Sequence, residues 1–150
     1  MPKIRRYRSQ DFVDYVAALE KTTKWGKKAT GELRARLEKL RRQDQIWVAE
    51  IDVRCVGFMI LVPEADGSLE VDWLDVHPDF HHTGIGTMLV QKAEKVAKAK
   101  GRTALSVHTS DKNKAMQGFA EKNGFVLFER LKGFYGKRKD ALRFKKAVAV

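Results

Sequence analysis

Residues 76–87 read Val76-His77-Pro78-Asp79-Phe80-His81-His82-Thr83-Gly84-Ile85-Gly86-Thr87. β-Branched and apolar residues precede this stretch, and apolar residues at helical spacing follow it. It is therefore a turn from a strand into a helix, where free backbone N–H groups and the helix dipole favour an anion. The glycines allow a phosphate to approach the backbone closely. The spacing matches neither the three-glycine dinucleotide motif nor the phosphate-binding loop that ends in Gly-Lys-Ser/Thr.

The sequence on either side of this turn predicts strands and helices in a mixed order. Before the turn, the pattern predicts a strand over residues 4–7, a helix capped by Ser9 with Phe12 and Val13 on its apolar face, a basic loop over 21–28, a helix from Thr30, a hairpin over 46–62 and a strand over 69–76. After it, the pattern predicts a helix over 86–100, a strand over 104–107, a helix over 111–122 and strands over 125–131 and 141–147. This order predicts a single α/β domain over residues 1–150, with a mixed, mostly antiparallel central sheet and helices on both faces.

Composition limits the class of protein. A chain of 150 residues with 43% hydrophobic side chains can bury a core, which excludes global disorder. The net charge of +11 attracts polyanions such as nucleic acid, anionic lipid or phosphorylated small molecules. Cys55 is the single cysteine, so we expect a small core residue in a cytoplasmic protein without disulfides. The longest apolar run, residues 55–63, is far shorter than the roughly 20 residues of a membrane-spanning helix, so no membrane partner is expected.

Two blocks of sequence give the turn a specific resemblance. The pattern Val-x-Pro-x-x-(Gln/Arg)-x-x-Gly-x-(Gly/Ala) is matched at its fixed positions by Val76, Pro78, Gly84 and Gly86. His81 occupies the Gln/Arg position. A second block, an Asn followed eleven residues later by Gly-Phe, is matched by Asn113 and Gly124-Phe125. Over about residues 4–146 the chain resembles the GNAT superfamily of N-acetyltransferases, and its C-terminal part resembles the protein N-terminal and ribosomal-protein acetyltransferase members.

The resemblance implies an acetyl-CoA-dependent N-acetyltransferase that moves an acetyl group to a primary amine by direct attack in a ternary complex, without a metal. A protein or peptide amine is the favoured acceptor, and a small amine is the alternative. The resemblance also implies a splayed strand whose free backbone groups bind the pantetheine arm, with the Val76 N–H stabilising the oxyanion. The residues implied in acetyl-CoA binding are Leu74, Val76, His81, His82, Thr83, Gly84, Ile85, Gly86, Thr87, Asn113 and Phe119.

Two acidic residues are candidates for the general base. An amine must lose its proton before it attacks a thioester, and a nearby carboxylate assists that loss. Glu70 lies eleven residues before His81, which is the offset of the glutamate base in similar histone acetyltransferases. Asp72 is the second candidate, because strand alternation places it on the same face as Glu70.

The general acid is the weaker part of the resemblance. The family's usual tyrosine falls seven residues after the helix asparagine, and that position here is Ala120. Tyr135 is the alternative donor to the leaving thiolate, or it packs or contacts the substrate. The thiolate can also leave without an acid, because its pKa is about 8.5.

The histidines do not predict a metal site. His77, His81 and His82 are close in sequence, but they have no neighbouring cysteine and do not form the His-Glu-x-x-His pattern of a zinc protease. His108 follows a predicted strand and is a candidate substrate contact or an ordinary residue of the rim.

Two other functions remain open at this stage. The departures at Ala120 and His81 are compatible with an acyl-CoA-binding module that has little turnover. The net charge and the basic segment around Trp25 are compatible with a protein that associates with nucleic acid.

Overall fold

A computed structural model describes residues 2–22 and 26–148, with side chains for residues 2–15 and 31–148. Its strands are β1 (Lys3–Arg6), β2 (Gln45–Ile51), β3 (Arg54–Pro63), β4 (Ser68–Val76), β5 (Ala104–Ser110), β6 (Val126–Leu131) and β7 (Ala141–Ala147). Its helices are α1 (Ser9–Thr22), α2 (Gly26–Glu38), α3 (Ile85–Ala99) and α4 (Lys114–Lys122), and a short 3-10 helix covers Pro78–Phe80. Within these described ranges, none of the helices combines the length and the apolar composition that a membrane crossing requires.

The strands form a seven-stranded sheet in the order β1-β2-β3-β4-β5-β7-β6. The pairs β1–β2, β2–β3, β5–β7 and β6–β7 are antiparallel, whereas β4–β5 is parallel. The predicted mixed, mostly antiparallel sheet is therefore confirmed. The parallel pairing joins Ser68–Glu70 only to Ala104–Ser106, although both strands are longer. A β4 strand that splays away from β5 after Glu70 would show this short pairing.

The chain groups into two compact units, whose boundaries fall inside β3, β4 and α3 rather than in linkers. The first unit contains the residues up to Leu61 together with Trp73–Leu89. The second contains Val62–Asp72 and the residues from Val90 onward.

In the first unit, the start of α3 packs against Gly57 of β3. A Cβ atom at Gly57 would lie 3.3 Å from the Cβ of Ala49 and 3.4 Å from side-chain carbons of Ile85 and Leu89. Ile85 and Leu89 are both buried and lie one turn apart on α3. Glycine at position 57 thus allows the first turn of α3 to pack closely on the strand, which fixes the start of the helix.

A buried ion pair holds the start of α1 to β1 in the same unit. The Arg5 guanidinium donates to both carboxylate oxygens of Asp11, at 2.9 and 2.7 Å, and to Glu50 at 2.9 Å. Burial of the Asp11 carboxyl acts to raise its pKa, but the hydrogen bonds from Arg5 and the Arg8 N–H outweigh it and the pKa is lowered. Asp11 is therefore an ionised group inside the fold.

In the second unit, β5 separates an apolar face from a polar one. It pairs with β7 along its whole length, from Ala104 opposite Ala147 to Ser110 opposite Ala141. The apolar face buries Leu105, Val107, Leu142 and Phe144. The alternate residues Ser106 and His108 lie on the other face, opposite Lys145 and Arg143. This polar face carries the chemistry described below.

The structure differs from the predicted elements at several boundaries. α2 begins at Gly26 rather than Thr30, so the predicted basic loop is partly helical, and its residues 23–25 lie outside the described residues. α4 begins at Lys114 rather than residue 111, because the Asn113 side chain accepts a hydrogen bond from the Met116 N–H and caps the helix. Val13, predicted on an apolar face, is 58% exposed.

Candidate active site

The turn from β4 to α3 presents a row of free backbone donors. Among the described residues, the N–H groups of residues 82–87 find no hydrogen-bond acceptor, and the first bonded amide of the helix is Met88, which donates to the Gly84 carbonyl at 3.0 Å. His82 and Gly84 have φ angles of 63° and 88°. Left-handed residues in such a turn direct successive N–H groups toward one concavity, which suits an anion.

His81 holds this turn to the end of the strand. Its Nε2 donates to the Val76 carbonyl at 2.7 Å, and the Thr83 hydroxyl donates to the Phe80 carbonyl. The His77 N–H donates to the Val56 carbonyl of β3 at 2.8 Å. The residue at the Gln/Arg position of the motif thus braces the turn, and the donors of residues 82–87 stay available.

Asp75, next to Val76 on β4, carries a half-buried carboxyl group. Burial raises the pKa of Asp75, while the Tyr15 hydroxyl and the Val76 N–H act to lower it. The Val76 N–H, which the resemblance assigns to the oxyanion, thus also acts on the carboxyl group of its neighbour.

The second unit holds the catalytic candidates on its polar face. Glu70 is only 1% exposed, and its two carboxylate oxygens accept hydrogen bonds from the Ser106 hydroxyl and from Nδ1 of His108. A second hydroxyl, that of Ser68, lies 3.3 Å from Ser106 Oγ. Asp72, two residues along the same strand, is exposed. The two predicted bases thus have opposite environments, one enclosed and one open to solvent.

Aromatic residues of the β6–β7 loop cover this cluster. The Phe134 ring stacks on His108 with a centroid distance of 5.4 Å and an interplanar angle of 12°. Tyr135 packs edge-on against Phe134 at 5.0 Å. Burial raises the pKa of Tyr135, and the carboxylates of Glu70 and Asp72 raise it further. The structure therefore brings together the three predicted catalytic residues and keeps the tyrosine protonated at neutral pH.

The α4 candidates have mixed environments. Asn113 is exposed and uses its side-chain oxygen for the helix cap, and Phe119 is half-buried. Ala120, where the family's usual tyrosine falls, is 1% exposed. A tyrosine at position 120 would need space that the packing does not leave.

Sequence reasoning missed the partners of Glu70. The sequence does not single out Ser106 or Phe134, and it leaves His108 as a substrate contact or a rim residue. The i, i+2 spacing of Ser106 and His108 indicates one face of a strand, but only the register between β4 and β5 places that face beside Glu70. Within the described ranges no group of three or more His, Cys, Asp or Glu side chains could hold a metal ion.

Known proteins resemble this chain in sequence or in fold. An uncharacterized N-acetyltransferase of Methanocaldococcus jannaschii is 33% identical over 100 residues, which are 63% of this chain and 44% of that protein, so the chain spans less than half of that relative. A GNAT-family protein from Desulfovibrio desulfuricans has a TM-score of 0.82 at 24% identity, covering 99% of this chain and 100% of the other.

Two enzymes of known structure have a similar fold. The ribosomal-protein-S18-alanine N-acetyltransferase from Escherichia coli has a TM-score of 0.79 at 15% identity, covering 100% of this chain and 96% of that one. An aminoglycoside 6'-N-acetyltransferase complexed with coenzyme A has a TM-score of 0.74 at 16% identity, covering 99% and 98%. The model of the acetyltransferase (GNAT) family matches residues 7–125. This chain, with its strand-to-helix turn and mixed sheet, belongs to the acetyltransferase (GNAT) family.

Proposed function

We propose that this protein is an acetyl-CoA-dependent N-acetyltransferase that transfers the acetyl group to a primary amine by direct attack in a ternary complex. The observation that carries the proposal is the row of free N–H groups over residues 82–87, in a turn whose sequence matches the acetyl-CoA-binding motif. Coenzyme A is present in the structure of the aminoglycoside acetyltransferase described above, which has the same fold.

The residues of the turn fit a pyrophosphate. A Cβ atom at Gly84 would meet nothing within 4 Å, so that side of the backbone is open to a ligand. The segment contains no Lys or Arg, so backbone donors and the positive end of the α3 dipole would supply the attraction. The binding residues we propose are Leu74, Val76, His81, His82, Thr83, Gly84, Ile85, Gly86, Thr87, Asn113 and Phe119.

Acetyl-CoA supplies the activated acyl group as a thioester, and the chain's own residues manage the protons. Glu70 and Asp72 are the acidic groups that assist the loss of a proton from the amine. Tyr135, whose pKa is raised by its surroundings, remains a phenol at neutral pH and can donate a proton to the leaving sulfur.

The β6–β7 loop favours a peptide or protein amine as acceptor. Beside the exposed aromatic rings of Phe134 and Tyr135, the loop carries four exposed cations, Lys132, Lys137, Arg138 and Lys139. Aromatic rings bind a peptide chain by stacking and apolar contact, while the cations attract acidic side chains next to the amine. The same cations repel polyamines, which are positively charged. The similarity in fold to the S18-alanine acetyltransferase supports the same preference.

A panel of acceptors tests this function. Purified protein is given acetyl-CoA with peptides that differ only in having Asp, Ala or Lys after the N-terminal residue, and with a polyamine and an aminoglycoside. Thiol release should be fastest with the Asp peptide and slowest with the polyamine, and the preference should weaken as salt is raised. CoA binding without thiol release from any acceptor would favour the acyl-CoA-binding module instead. Equal rates for all peptides would remove the role assigned to the loop.

A further inference from the structure

We propose that His108 accepts the proton from the acceptor amine and that Glu70 positions His108 rather than contacting the amine itself. This inference rests on the proposed acetyltransferase function. The resemblance implies that the Glu70 carboxylate contacts the amine, whereas this inference assigns that contact to His108.

The enclosure of Glu70 is the first observation. Its side chain is almost wholly buried, and Ser106 and His108 occupy its two carboxylate oxygens. Because the carboxylate is covered, a substrate amine would have to displace surrounding side chains to reach an oxygen. The His108 side chain is 25% exposed, so a substrate can approach the imidazole from outside.

The hydrogen bond between the two side chains selects the reactive nitrogen. An ionised carboxylate only accepts hydrogen bonds, so Nδ1 of His108 carries the hydrogen and Nε2 keeps its lone pair. When Nε2 takes up a proton, the imidazolium that forms lies against the Glu70 carboxylate, which stabilises it. Stacking on Phe134 holds the ring plane, so the direction of the lone pair is fixed as well.

Other charged groups also face the imidazole. Arg143 lies directly opposite His108 on β7, and its guanidinium donates to Asp66 at 3.3 Å and lies 5.0 Å from the centre of the Phe128 ring. Tyr135 approaches from the β6–β7 loop, close to both Glu70 and Asp72. Among the charged side chains that the structure describes here, Glu70 is the one hydrogen-bonded to the imidazole.

The proton balance is complete without another reagent. One N–H bond of the substrate ammonium breaks as the N–H bond at His108 Nε2 forms, which leaves a neutral amine. The amine nitrogen then bonds to the acetyl carbon as the carbon–sulfur bond breaks. The second proton of the amine passes to solvent, and the sulfur gains a proton from water or from Tyr135, which then takes one back from solvent. His108 returns its proton to solvent, so the products are an amide, the CoA thiol and one proton.

The variants His108→Gln and His108→Ala test the proposal, with Glu121→Gln as the control because Glu121 is an exposed carboxylate on α4. Both His108 variants should lose about 10²-fold or more in kcat, with acetyl-CoA affinity and melting temperature close to wild type. Added imidazole should restore His108→Ala in proportion to the concentration of its neutral form. It should not restore Glu70→Gln, in which His108 is present but not positioned.

A double variant separates the two roles. If Glu70 acts through His108, the double variant Glu70→Gln/His108→Gln should be no slower than His108→Gln alone. The proposal would be overturned if the two losses in kcat multiplied in the double variant, or if His108→Ala kept a kcat within about threefold of wild type. Glu70 would then be the group that accepts the proton. A wild-type protein that acetylates no amine would instead refute the proposed function, and this inference with it.

Discussion

The glycine at position 84 provides a matched test of the anion-binding turn. Gly84 and Gly101 both have left-handed backbone, with φ of 88° and 68°, and a Cβ at either position would meet nothing within 4 Å. Gly84 belongs to the row of free N–H groups, whereas Gly101 follows the end of α3. Alanine at either position therefore costs about 1–2 kcal/mol of backbone strain, and the two variants should have similarly lowered melting temperatures.

Only the Gly84 variant should lose affinity for CoA. Its methyl group would stand on the open side of the turn and hold the phosphate away from one or two backbone donors. Hydrogen bonds to a charged group contribute about 1.5–3 kcal/mol each, so Kd should rise about 10- to 100-fold or more. Calorimetric titration of CoA into Gly84→Ala and Gly101→Ala measures the difference at matched stability. Equal affinities in the two variants would refute the assignment of the turn.

Three other predictions concern single side chains. Tyr135→Phe should lower kcat about 10-fold across neutral pH if the phenol donates to sulfur, because its raised pKa keeps it protonated there, and a change confined to KM would show a binding role. Burial raises the pKa of Cys55 to about 12, so a thiol reagent should label it only after unfolding, and rapid labelling of the native protein would contradict the buried position. Asp11 has a lowered pKa, so the stability that its carboxylate contributes is present above about pH 4 and is lost as the pH falls below it. In chemical denaturation, Asp11→Asn should lower the free energy of unfolding by about 3 kcal/mol at pH 7, and this free energy should then fall less on acidification than that of the wild type.

The sequence predicted the sheet and the turn because their signals are local. Alternating residues define β4 and β5, and the glycines with the apolar face of α3 define the strand-to-helix turn. The boundary of α2 was missed because Gly26, a poor helix former, begins it. The hairpin turn between β2 and β3 is also unusual, since Asp52 and Val53 adopt left-handed φ angles of 48° and 58° without a glycine.

The catalytic cluster was only partly predictable for a different reason. Glu70 and Tyr135 could be named from the resemblance, but the partners of Glu70 depend on the parallel register that sets Glu70 opposite Ser106. That register is a long-range property of the sheet and leaves no mark on either strand alone. Stacking of Phe134 on His108 likewise depends on how the β6–β7 loop folds back over β5.

The stoichiometry of a single turnover tests the central claim most directly. Protein in excess over acetyl-CoA is mixed with an unblocked peptide that begins with an acidic segment, and the free thiol and the acetylated peptide are both quantified, the peptide by mass spectrometry. Direct transfer predicts one acetylated amine for each thiol released, with the acetyl group on the peptide nitrogen and none on the protein. Thiol release with acetate as the product, or acetylation of the protein itself before the peptide, would contradict the account.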